Sequence, residues 1–204
     1  MARNLRQFNP AAARNKQPIL EVLQRVLPPH GHALEIASGT GEHAAHFAAG
    51  LPGWTWQPTE LDREAFASIN AWRASAGVNN LLAPRRLDVT APTWTDIAEV
   101  DVIFCANMIH IAPWTACQGL MRGAGRYLVP QGLLMTYGPY LLDEEPNAPS
   151  NLAFDADLRA RNPAWAVRGL AEVVAEAAGA GLALRERVSM PANNLALMFQ
   201  RKTG

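Results

Sequence analysis

The sequence predicts a single-domain α/β fold with a seven-stranded, mostly parallel sheet, an antiparallel C-terminal strand and helices on both faces. Apolar runs typical of buried strands alternate with helical periodicity along most of the chain, which indicates parallel strands joined by right-handed crossovers. The last two apolar runs, 182–190 and 194–201, have no helix between them and predict a hairpin. A loop with Gly39 and Gly41 separates the first predicted strand from the helix that follows.

The first half of the chain gives clear local signals. Residues 18–27 carry apolar side chains at helical spacing and stop at Pro28, which predicts the first helix. The short apolar run 32–37 predicts the first strand, and the alanine-rich stretch 41–49 predicts the helix after the glycine loop. After a Pro-Gly turn, a second strand is predicted at 54–59.

The alternation continues to the end of the chain. Asp62 is the predicted N-cap of a helix that ends at Gly77, and Pro113 is the predicted first residue of a helix that runs to Leu128. Glycines inside that second helix lower its propensity and indicate close packing against the sheet; they are Gly119, Gly123 and Gly125. The remaining predicted elements are strands at 81–87, 101–107 and 132–137 and a helix at 167–180.

Composition indicates one ordinary globular domain. The chain has 204 residues, 49% of them hydrophobic, and its 18 basic and 18 acidic side chains cancel. We therefore expect no nucleic-acid partner and no membrane partner. Cys105 and Cys117 lie in apolar segments, and residues 1–15 lack the apolar centre of a secretory signal, so a cytoplasmic protein is expected.

The glycine loop is compatible with two nucleoside cofactors. Residues 39–44 satisfy a relaxed dinucleotide fingerprint, and Glu60 follows Gly41 by 19 residues, near the usual place of a ribose-binding acid. Glu42, however, would stand at the helix N-terminus, where its charge would repel a pyrophosphate. Glu35, at the end of the strand, adds a carboxylate that suits a sulfonium or ammonium group. These acids favour S-adenosylmethionine over NAD.

A set of short motifs extends over nearly the whole chain. They are Arg14-Asn15-Lys16, Pro18-Ile19-Leu20, the run 37–43, Trp56-Gln57-Pro58, the run 104–111, Tyr137-Gly138-Pro139-Tyr140, Ser150-Asn151, Phe154-Asp155, Asn162-Pro163, Trp165 and the run 190–194. Together they resemble class I S-adenosylmethionine-dependent methyltransferases. Within that class they resemble the methyltransferase-like protein 26 family, long catalogued as a domain of unknown function. One departure is Ala37, which replaces the first glycine usual in the loop.

The resemblance implies a Rossmann-like methyltransferase that uses S-adenosyl-L-methionine and releases S-adenosyl-L-homocysteine. Glu60 would accept hydrogen bonds from the ribose hydroxyls, and Asp88 with Val89 would flank the adenine. The full set of expected cofactor-binding residues is Glu35, Ala37, Ser38, Gly39, Gly41, Glu60, Leu61, Asp88, Val89, Asn107 and Met108.

The acceptor side is predicted from residues near the carboxyl ends of the later strands. His110 and Tyr140 are the candidate catalytic residues: His110 is either a general base or a hydrogen-bonded structural histidine. Asn15, Trp114, Tyr137 and Asp155 are the candidate substrate residues. A small cavity lined by Tyr137, Tyr140 and Trp114 is expected beside the methyl group, because methyl transfer needs an acceptor held in line and away from water.

Several alternatives remain open from the sequence. The arm 1–17 is either a lid over the cofactor or a frayed end, and 140–166 is predicted as an insertion over the active site. No metal site is expected. The expected function is methyl transfer to a small molecule, with O-, N- and S-methylation all possible, by a monomer or homodimer. A non-catalytic binding module with the same fold is the second interpretation, and a nucleotide-dependent oxidoreductase is the third.

Overall fold

The computed structural model describes residues 5–203, which form six α-helices and one seven-stranded sheet. The helices are α1 (Pro10–Val26), α2 (Glu42–Gly50), α3 (Phe66–Ala76), α4 (Trp114–Tyr127), α5 (Pro149–Arg161) and α6 (Leu170–Gly179). The strands are β1 (Gly31–Ile36), β2 (Trp54–Glu60), β3 (Arg85–Arg86), β4 (Val100–Ala106), β5 (Leu128–Pro139), β6 (Leu182–Met190) and β7 (Asn194–Arg201). The strand order is β3-β2-β1-β4-β5-β7-β6, and β7 runs antiparallel to both of its neighbours. The predicted fold class is confirmed.

The described chain forms two compact units. The first contains residues 5–88 and 100–104, and its core is aromatic. Phe47 of α2 contacts the rings of Trp56 and Phe104 edge-on, with centroids 5.4 and 5.2 Å apart, and all three side chains are fully buried. Aromatic pairs of this geometry add to the free energy of burial itself. They hold α2, and with it the glycine loop, against the strands of this unit.

The second unit contains residues 89–99 and 105–203. Its framework is the antiparallel β5-β7-β6 sheet, in which the β5–β7 register runs from Leu133–Gln200 to Pro139–Asn194. Trp94 stacks on Tyr127 with ring centroids 5.2 Å apart, and the Tyr127 hydroxyl accepts a hydrogen bond from the Trp94 backbone. This stack fastens the 89–99 segment to the end of α4.

The first helix begins eight residues earlier than its predicted start at 18. The Asn9 side chain caps it by accepting from the Ala11 N–H, and Pro10 occupies the first turn, where no N–H is needed. Pro18 lies inside the helix, where it removes one hydrogen bond. The helix continues through Pro18, and residues on both sides of the proline are buried: Ala12 and Asn15 before it and Ile19 after it. The expectation of a weakly structured arm up to residue 17 is therefore wrong for residues 10–17.

Three other segments differ from the sequence prediction. The third strand is only Arg85–Arg86, because Pro84 has no N–H to donate; Leu81 makes an isolated bridge to Trp56. The proline-rich insertion contains α5, which has Pro149 in its first turn. The last helix starts at Leu170 rather than 167, because the N–H groups of residues 167 and 168 bond to side chains of the same unit.

The glycines of α4 pack against neighbours other than the sheet. A Cβ on Gly119 would lie 2.2 Å from the Val89 carbonyl oxygen, and one on Gly123 would overlap the Trp94 ring. A Cβ on Gly125 would meet the Ala180 carbonyl oxygen. The expected close packing is present, but it is against the 89–94 loop and the end of α6. No helix in residues 5–203 has the length and apolarity that a membrane crossing requires.

We predict that Gly119→Ala lowers the free energy of unfolding by about 2–4 kcal/mol, the range of overpacked or strained core sites. The added methyl group would collide with backbone rather than with a movable side chain. Gly179→Ala is the matched control, because it also replaces a helical glycine but finds no heavy atom within 4 Å among the described residues. Urea unfolding should show little change for this control; equal losses in both variants would contradict the packing explanation.

Candidate functional site

The glycine loop connects β1 to α2 through three residues in the left-handed region. Ala37, Gly39 and Gly41 have φ angles of 53°, 55° and 88°. Glu60, at the end of β2, fixes the loop: its carboxylate accepts from the Gly39 N–H at 2.8 Å and from the Leu61 N–H at 2.7 Å. The loop and the expected ribose acid are thus brought together in the first unit.

The two loop glycines are required for different reasons. A Cβ on Gly41 would lie 2.7 Å from the Ile69 Cα, so this glycine permits close packing of α2 on α3. A Cβ on Gly39 would meet no heavy atom of the described chain within 4 Å. The space over Gly39 is therefore open to a ligand.

Glu35 lies buried near the carboxyl end of β1, beside the loop. One of its carboxyl oxygens accepts from the Trp56 indole N–H at 2.6 Å, and its backbone carbonyl accepts from the Thr59 hydroxyl. Burial raises the pKa of Glu35 to about 8, since the low-dielectric surroundings disfavour the charged form. Near neutral pH this carboxyl group is mostly protonated, and a bound cation would favour its ionised form.

The first helix meets the start of α2 through two polar contacts. Asn15 Oδ1 lies 2.6 Å from His43 Nε2, so His43 carries its proton on Nε2, and Lys16 Nζ lies 2.9 Å from Glu42 Oε1. Burial lowers the pKa of His43 to about 4. The side-chain carbonyl oxygen of Asn15, a candidate substrate residue, therefore accepts a hydrogen bond from His43.

The other expected cofactor residues occupy loops that follow strands. Ser38 is buried in the glycine loop, whereas Leu61 is 49% exposed after β2. Asp88 is half-buried shortly after β3, at the end of the first unit. Val89 is buried in the second unit, where its carbonyl oxygen accepts from the Trp94 indole at 3.3 Å.

In the second unit, the residues that follow β4 contact the end of β5. Asn107 has a left-handed backbone, φ 60°, and its N–H donates to the Tyr137 carbonyl at 2.8 Å. Met108 and His110 lie in the short 3₁₀ turn that follows. A Cβ on Gly138 would lie 2.5 Å from His110 Nε2 and 3.3 Å from Asn107 Oδ1. The glycine after Tyr137 thus admits both side chains.

His110 has the geometry of a neutral hydrogen-bond donor. It is fully buried, and its Nδ1 accepts from the Arg168 backbone N–H at 3.2 Å, so the proton resides on Nε2. Burial, with the Arg168 charge, lowers the pKa of His110 to about 3. Its Nε2 has no hydrogen-bond partner within residues 5–203. A general base needs a free lone pair, and in this tautomer neither nitrogen offers one.

The remaining candidate residues make structural contacts. The Tyr140 hydroxyl lies 2.8 Å from Thr136 Oγ1, and burial raises the pKa of Tyr140 above its usual range. Both carboxylate oxygens of Asp155 are engaged: Oδ1 accepts from the Val167 N–H, and Oδ2 accepts from Arg159. Tyr137 is buried in β5, and Trp114 is partly exposed beneath the Arg168 guanidinium.

Arg168 was missed by the sequence analysis. Its guanidinium donates to the carbonyl oxygens of Ile109, Ala112 and Ala164 at 2.7–2.9 Å, while its backbone holds His110. It therefore joins the 3₁₀ turn after β4 to the segment before α6. An isolated arginine between two elements carries no recognisable spacing, and we find no sequence signal that would have identified it.

A cavity of about 220 Å³ lies within the second unit, between the 140–151 segment and the β6–β7 hairpin. Of the three aromatic residues expected around an acceptor cavity, only Tyr140 lines it. Arg187 and Glu145, which form an ion pair at 2.8 Å, also line it. Asn151 and Asn193 contribute amides, and the Asn151 side chain donates to the Asn193 carbonyl. The cavity is polar, and its one cationic side chain is already paired.

The residues from 5 to 203 contain no cluster of three histidine, cysteine, aspartate or glutamate side chains arranged to hold a metal ion.

Comparison with known proteins gives a family and a fold. The model of a family described as "Protein of unknown function (DUF938)" matches residues 6–201. An O-methyltransferase family protein from Burkholderia thailandensis superposes with a TM-score of 0.77 at 17% identity, covering 95% of this chain and 58% of that one. Identity this low shows the fold alone.

Two further solved structures agree. Human N-acetylserotonin methyltransferase, in complex with SAM, gives a TM-score of 0.76 at 12% identity over 95% of this chain and 53% of that one. The O-methyltransferase family 2 protein from Planctomyces limnophilus, in complex with apigenin, gives 0.78 at 18% identity over 95% and 60%. The chain thus has a methyltransferase fold and spans just over half the length of these proteins.

We predict that Glu35→Gln removes a loss of stability that the wild type undergoes as pH rises from 4.5 to about 8. As pH rises from 4.5 towards 8, the unfolded wild type ionises Glu35 while the folded state keeps it protonated, so the free energy of unfolding falls by a few kcal/mol. Glutamine keeps an acceptor for Trp56 and cannot ionise. Urea unfolding at about pH 5 and pH 7.5 should therefore favour Glu35→Gln increasingly over wild type.

The acid-side titrations do not obscure this comparison. The lowered pKa values of His43 and His110 stabilise the folded protein above pH 6.5, and that stability is lost as pH falls, equally in both proteins. Glu21→Gln, an exposed change on α1, is the control and should show no pH-dependent difference. A constant difference between wild type and Glu35→Gln would contradict the raised pKa.

Proposed function

We propose that this chain, which belongs to the DUF938 family of proteins of unknown function, is an S-adenosylmethionine-dependent methyltransferase that acts on a small molecule. The methyltransferase fold supports the proposal, and so do the sequence motifs that resemble the methyltransferase-like protein 26 family, to which we assign the chain. In the strand order, β2 and β3 lie on one side of β1 and β4 lies on the other, so the order of strands reverses between β1 and β4. Open α/β sheets bind ligands at such a switch point.

The observation that carries the cofactor assignment is the charge around the glycine loop. Glu42, in the first turn of α2, is a buried carboxylate at the helix end where a dinucleotide would place its pyrophosphate. Glu35, also buried, lies beside the same loop and would gain from a nearby cation. A sulfonium and an ammonium group suit two such acids, whereas two phosphates do not.

The ribose and the loop would share one carboxylate. Glu60 now accepts from the Gly39 and Leu61 N–H groups, and ribose hydroxyls would add to these bonds on a side chain that is not buried. The open space over Gly39 lets a nucleoside approach the backbone. Asp88 is our candidate for the adenine amine.

The protein would contribute orientation and exclusion of water more than acid–base chemistry. Bound S-adenosylmethionine would supply a methyl group on a sulfonium centre, with the thioether S-adenosylhomocysteine as the leaving group. His110 and Tyr140 are buried and neutral, so they would donate or shape rather than abstract a proton. An amine or thiol acceptor needs no strong base when it is held in line, whereas a hydroxyl acceptor more often does.

The acceptor is proposed to be a small molecule. The cavity of about 220 Å³ in the second unit suits a molecule of modest size, and its Glu145–Arg187 pair leaves no free basic rim for a nucleic acid. We further propose that the protein is a monomer or homodimer and that it is cytoplasmic. A reducing compartment is compatible with Cys105 and Cys117, which are buried and form no disulfide.

A non-catalytic binding module is the second candidate. One observation favours it: of the candidates on the acceptor side, the buried Tyr140 holds its proton, and the His110 Nδ1 and both Asp155 carboxylate oxygens already accept hydrogen bonds from the chain. Such a module would bind the cofactor and transfer nothing.

We predict that S-adenosylhomocysteine and S-adenosylmethionine raise the melting temperature and that NAD does not, because a ligand that binds only the folded state stabilises it. Gly39→Ala should weaken S-adenosylhomocysteine binding by about tenfold or more, since the methyl group fills the space over the loop. Isothermal titration calorimetry measures this change directly.

Gly77→Ala is the matched control for Gly39→Ala. Both glycines have a left-handed backbone and would place a Cβ in open space, so both variants should lose about 1–2 kcal/mol of stability. Gly77 ends α3, away from the loop, so its variant should keep wild-type affinity. Equal affinities for the two variants, or stabilisation by NAD alone, would contradict the cofactor proposal.

We predict that protein incubated with methyl-labelled S-adenosylmethionine and a small-molecule extract labels a metabolite rather than RNA. Gly39→Ala should reduce the label in proportion to its loss of affinity. The rate should not follow a titration near pH 6.5, because His110 stays neutral down to about pH 3. Cofactor binding without label transfer would favour the binding module, and a rate that rises through pH 6.5 and is lost in His110→Gln would restore the general base.

A further inference from the structure

The cavity of about 220 Å³ in the second unit is lined by asparagines whose amide oxygens the folded chain does not use. The Asn151 amide nitrogen donates to the Asn193 carbonyl at 3.0 Å. The Asn194 amide nitrogen donates to two carbonyls of the turn before it, at 2.9 and 3.2 Å. A backbone carbonyl only accepts, so these bonds fix which end of each amide faces the chain. No described residue donates to the amide oxygen of Asn151 or Asn194.

The hairpin tip beside this cavity is held in a conformation that its residues do not prefer. Ala192 and Asn193 both have a left-handed backbone, with φ 57°, which is unfavourable for a residue with a Cβ. The amides of Asn151 and Asn194 bond to the carbonyls of this turn. Asn151 is only 7% exposed, yet its amide oxygen is not wholly enclosed, which leaves it accessible from the cavity. A strained turn fixed at the edge of a cavity is typical of a ligand site.

The rest of the lining indicates an uncharged ligand with one apolar side. Glu145 and Arg187 pair at 2.8 Å, so the charges around the cavity cancel and neither sign of ion is favoured. The apolar part of the lining comes from Leu142, Met190, Leu195 and the Tyr140 ring. A ring that carries hydrogen-bond donors on one edge matches this division between apolar wall and amide oxygens.

The two free amide oxygens favour an amino group as the donor. An –NH₂ group has two N–H donors, one for each oxygen, whereas a hydroxyl has one and a thiol is a weak donor. An amine conjugated to a ring is uncharged near neutral pH, so it needs no base before it reacts. This property suits a unit in which Tyr140 keeps its proton and the His110 Nδ1 already accepts a hydrogen bond.

We propose that this cavity binds the methyl acceptor as an uncharged, ring-bound amine whose N–H groups donate to the Asn151 and Asn194 amide oxygens. The inference rests on the proposed function and narrows its acceptor to nitrogen. The nitrogen lone pair forms the bond to the methyl carbon, while the carbon–sulfur bond breaks and leaves its electron pair on S-adenosylhomocysteine. The methylated nitrogen then loses one N–H proton to water, which restores a neutral amine.

The first test compares four probes that share one ring. Quinoline, 3-hydroxyquinoline, 3-aminoquinoline and 3-(aminomethyl)quinoline, which is charged at neutral pH, are titrated against the full chain by ligand-observed NMR. Two added hydrogen bonds should make 3-aminoquinoline bind about 5- to 30-fold more tightly than quinoline and at least about threefold more tightly than the other two. Equal binding of 3-aminoquinoline and quinoline, or a preference for the hydroxyl or the charged probe, would overturn the inference.

Variants then locate the binding. Asn151→Ala should reduce the advantage of 3-aminoquinoline over quinoline to about threefold or less, because one acceptor is lost, and leave quinoline itself unchanged. Asn162→Ala is the matched control: it removes an amide that accepts from the Ala164 N–H at the other end of α5, outside the cavity lining. If Asn151→Ala loosens the hairpin, Asn194→Ala gives the same comparison, since its bonds stay within one turn. An undiminished advantage in either folded variant would contradict the site.

The position of the transferred label separates this inference from the proposed function. The metabolite labelled from methyl-labelled S-adenosylmethionine should carry its new methyl group on nitrogen. A methylated hydroxyl or thiol would overturn the amine assignment and leave the methyltransferase proposal standing. Selective binding of 3-aminoquinoline without label transfer to any metabolite would support the site and contradict the methyltransferase proposal.

Discussion

The contact between α1 and the beginning of α2 is the constraint on which the first unit's site depends. His43 is held on one side by Asn15 and on the other by the aromatic cluster of Phe47 and Phe104. A buried neutral histidine is tolerated here because its Nε2 proton has a partner. Burial lowers its pKa, since the low-dielectric surroundings disfavour the charged form. With α2 fixed at this point, the loop before it has a defined end.

The loop itself is held in a conformation that its sequence does not prefer. Ala37 has a left-handed backbone although it has a side chain, at a cost of about 1–2 kcal/mol. Hydrogen bonds on each side offset this cost: Ser38 donates to the Thr59 carbonyl, and Gly39 donates to Glu60. Strain that persists because its surroundings over-determine it is typical of ligand sites. The replacement of a usual glycine by Ala37 is therefore compatible with the loop geometry.

Much of the fold could be predicted from sequence because buried strands and amphipathic helices leave periodic patterns. The hairpin strands end at Met190 and begin again at Asn194, as predicted. The loop, Glu60 and Gly39 were also found, because a strand, a glycine turn and a helix occur in direct succession. Local signals failed where distant contacts decide. Pro18 reads as a helix start, yet packing on α2 carries α1 through it.

The candidate site was less predictable than the fold for the same reason. The partner of Lys16 is 26 residues away, and the partner of His43 is 28 residues away. The role of Arg168 rests on carbonyl oxygens that any residue could supply. Asp155 was predicted as a substrate residue because its segment was expected near the acceptor. Its two carboxylate oxygens instead accept from Arg159 and from the Val167 N–H, in the same unit. The pKa values of Glu35 and His110 could not be predicted from the sequence either, because they are shifted by burial in the folded protein.

The continuation of α1 through Pro18 matters for anyone who trims this protein. A shortened version that starts at the proline would follow the sequence pattern and would keep every strand. It would also strip Lys16 and Asn15 from the buried Glu42 and His43, and remove the Phe8 ring from its edge-on contact with Trp72. Removing one partner of a buried charge pair leaves the other charge unpaired and costs about 3–5 kcal/mol, a large share of the stability of a domain. A deletion that keeps these contacts must end before Gln7, whose backbone bonds to Ser68 and Trp72 of α3.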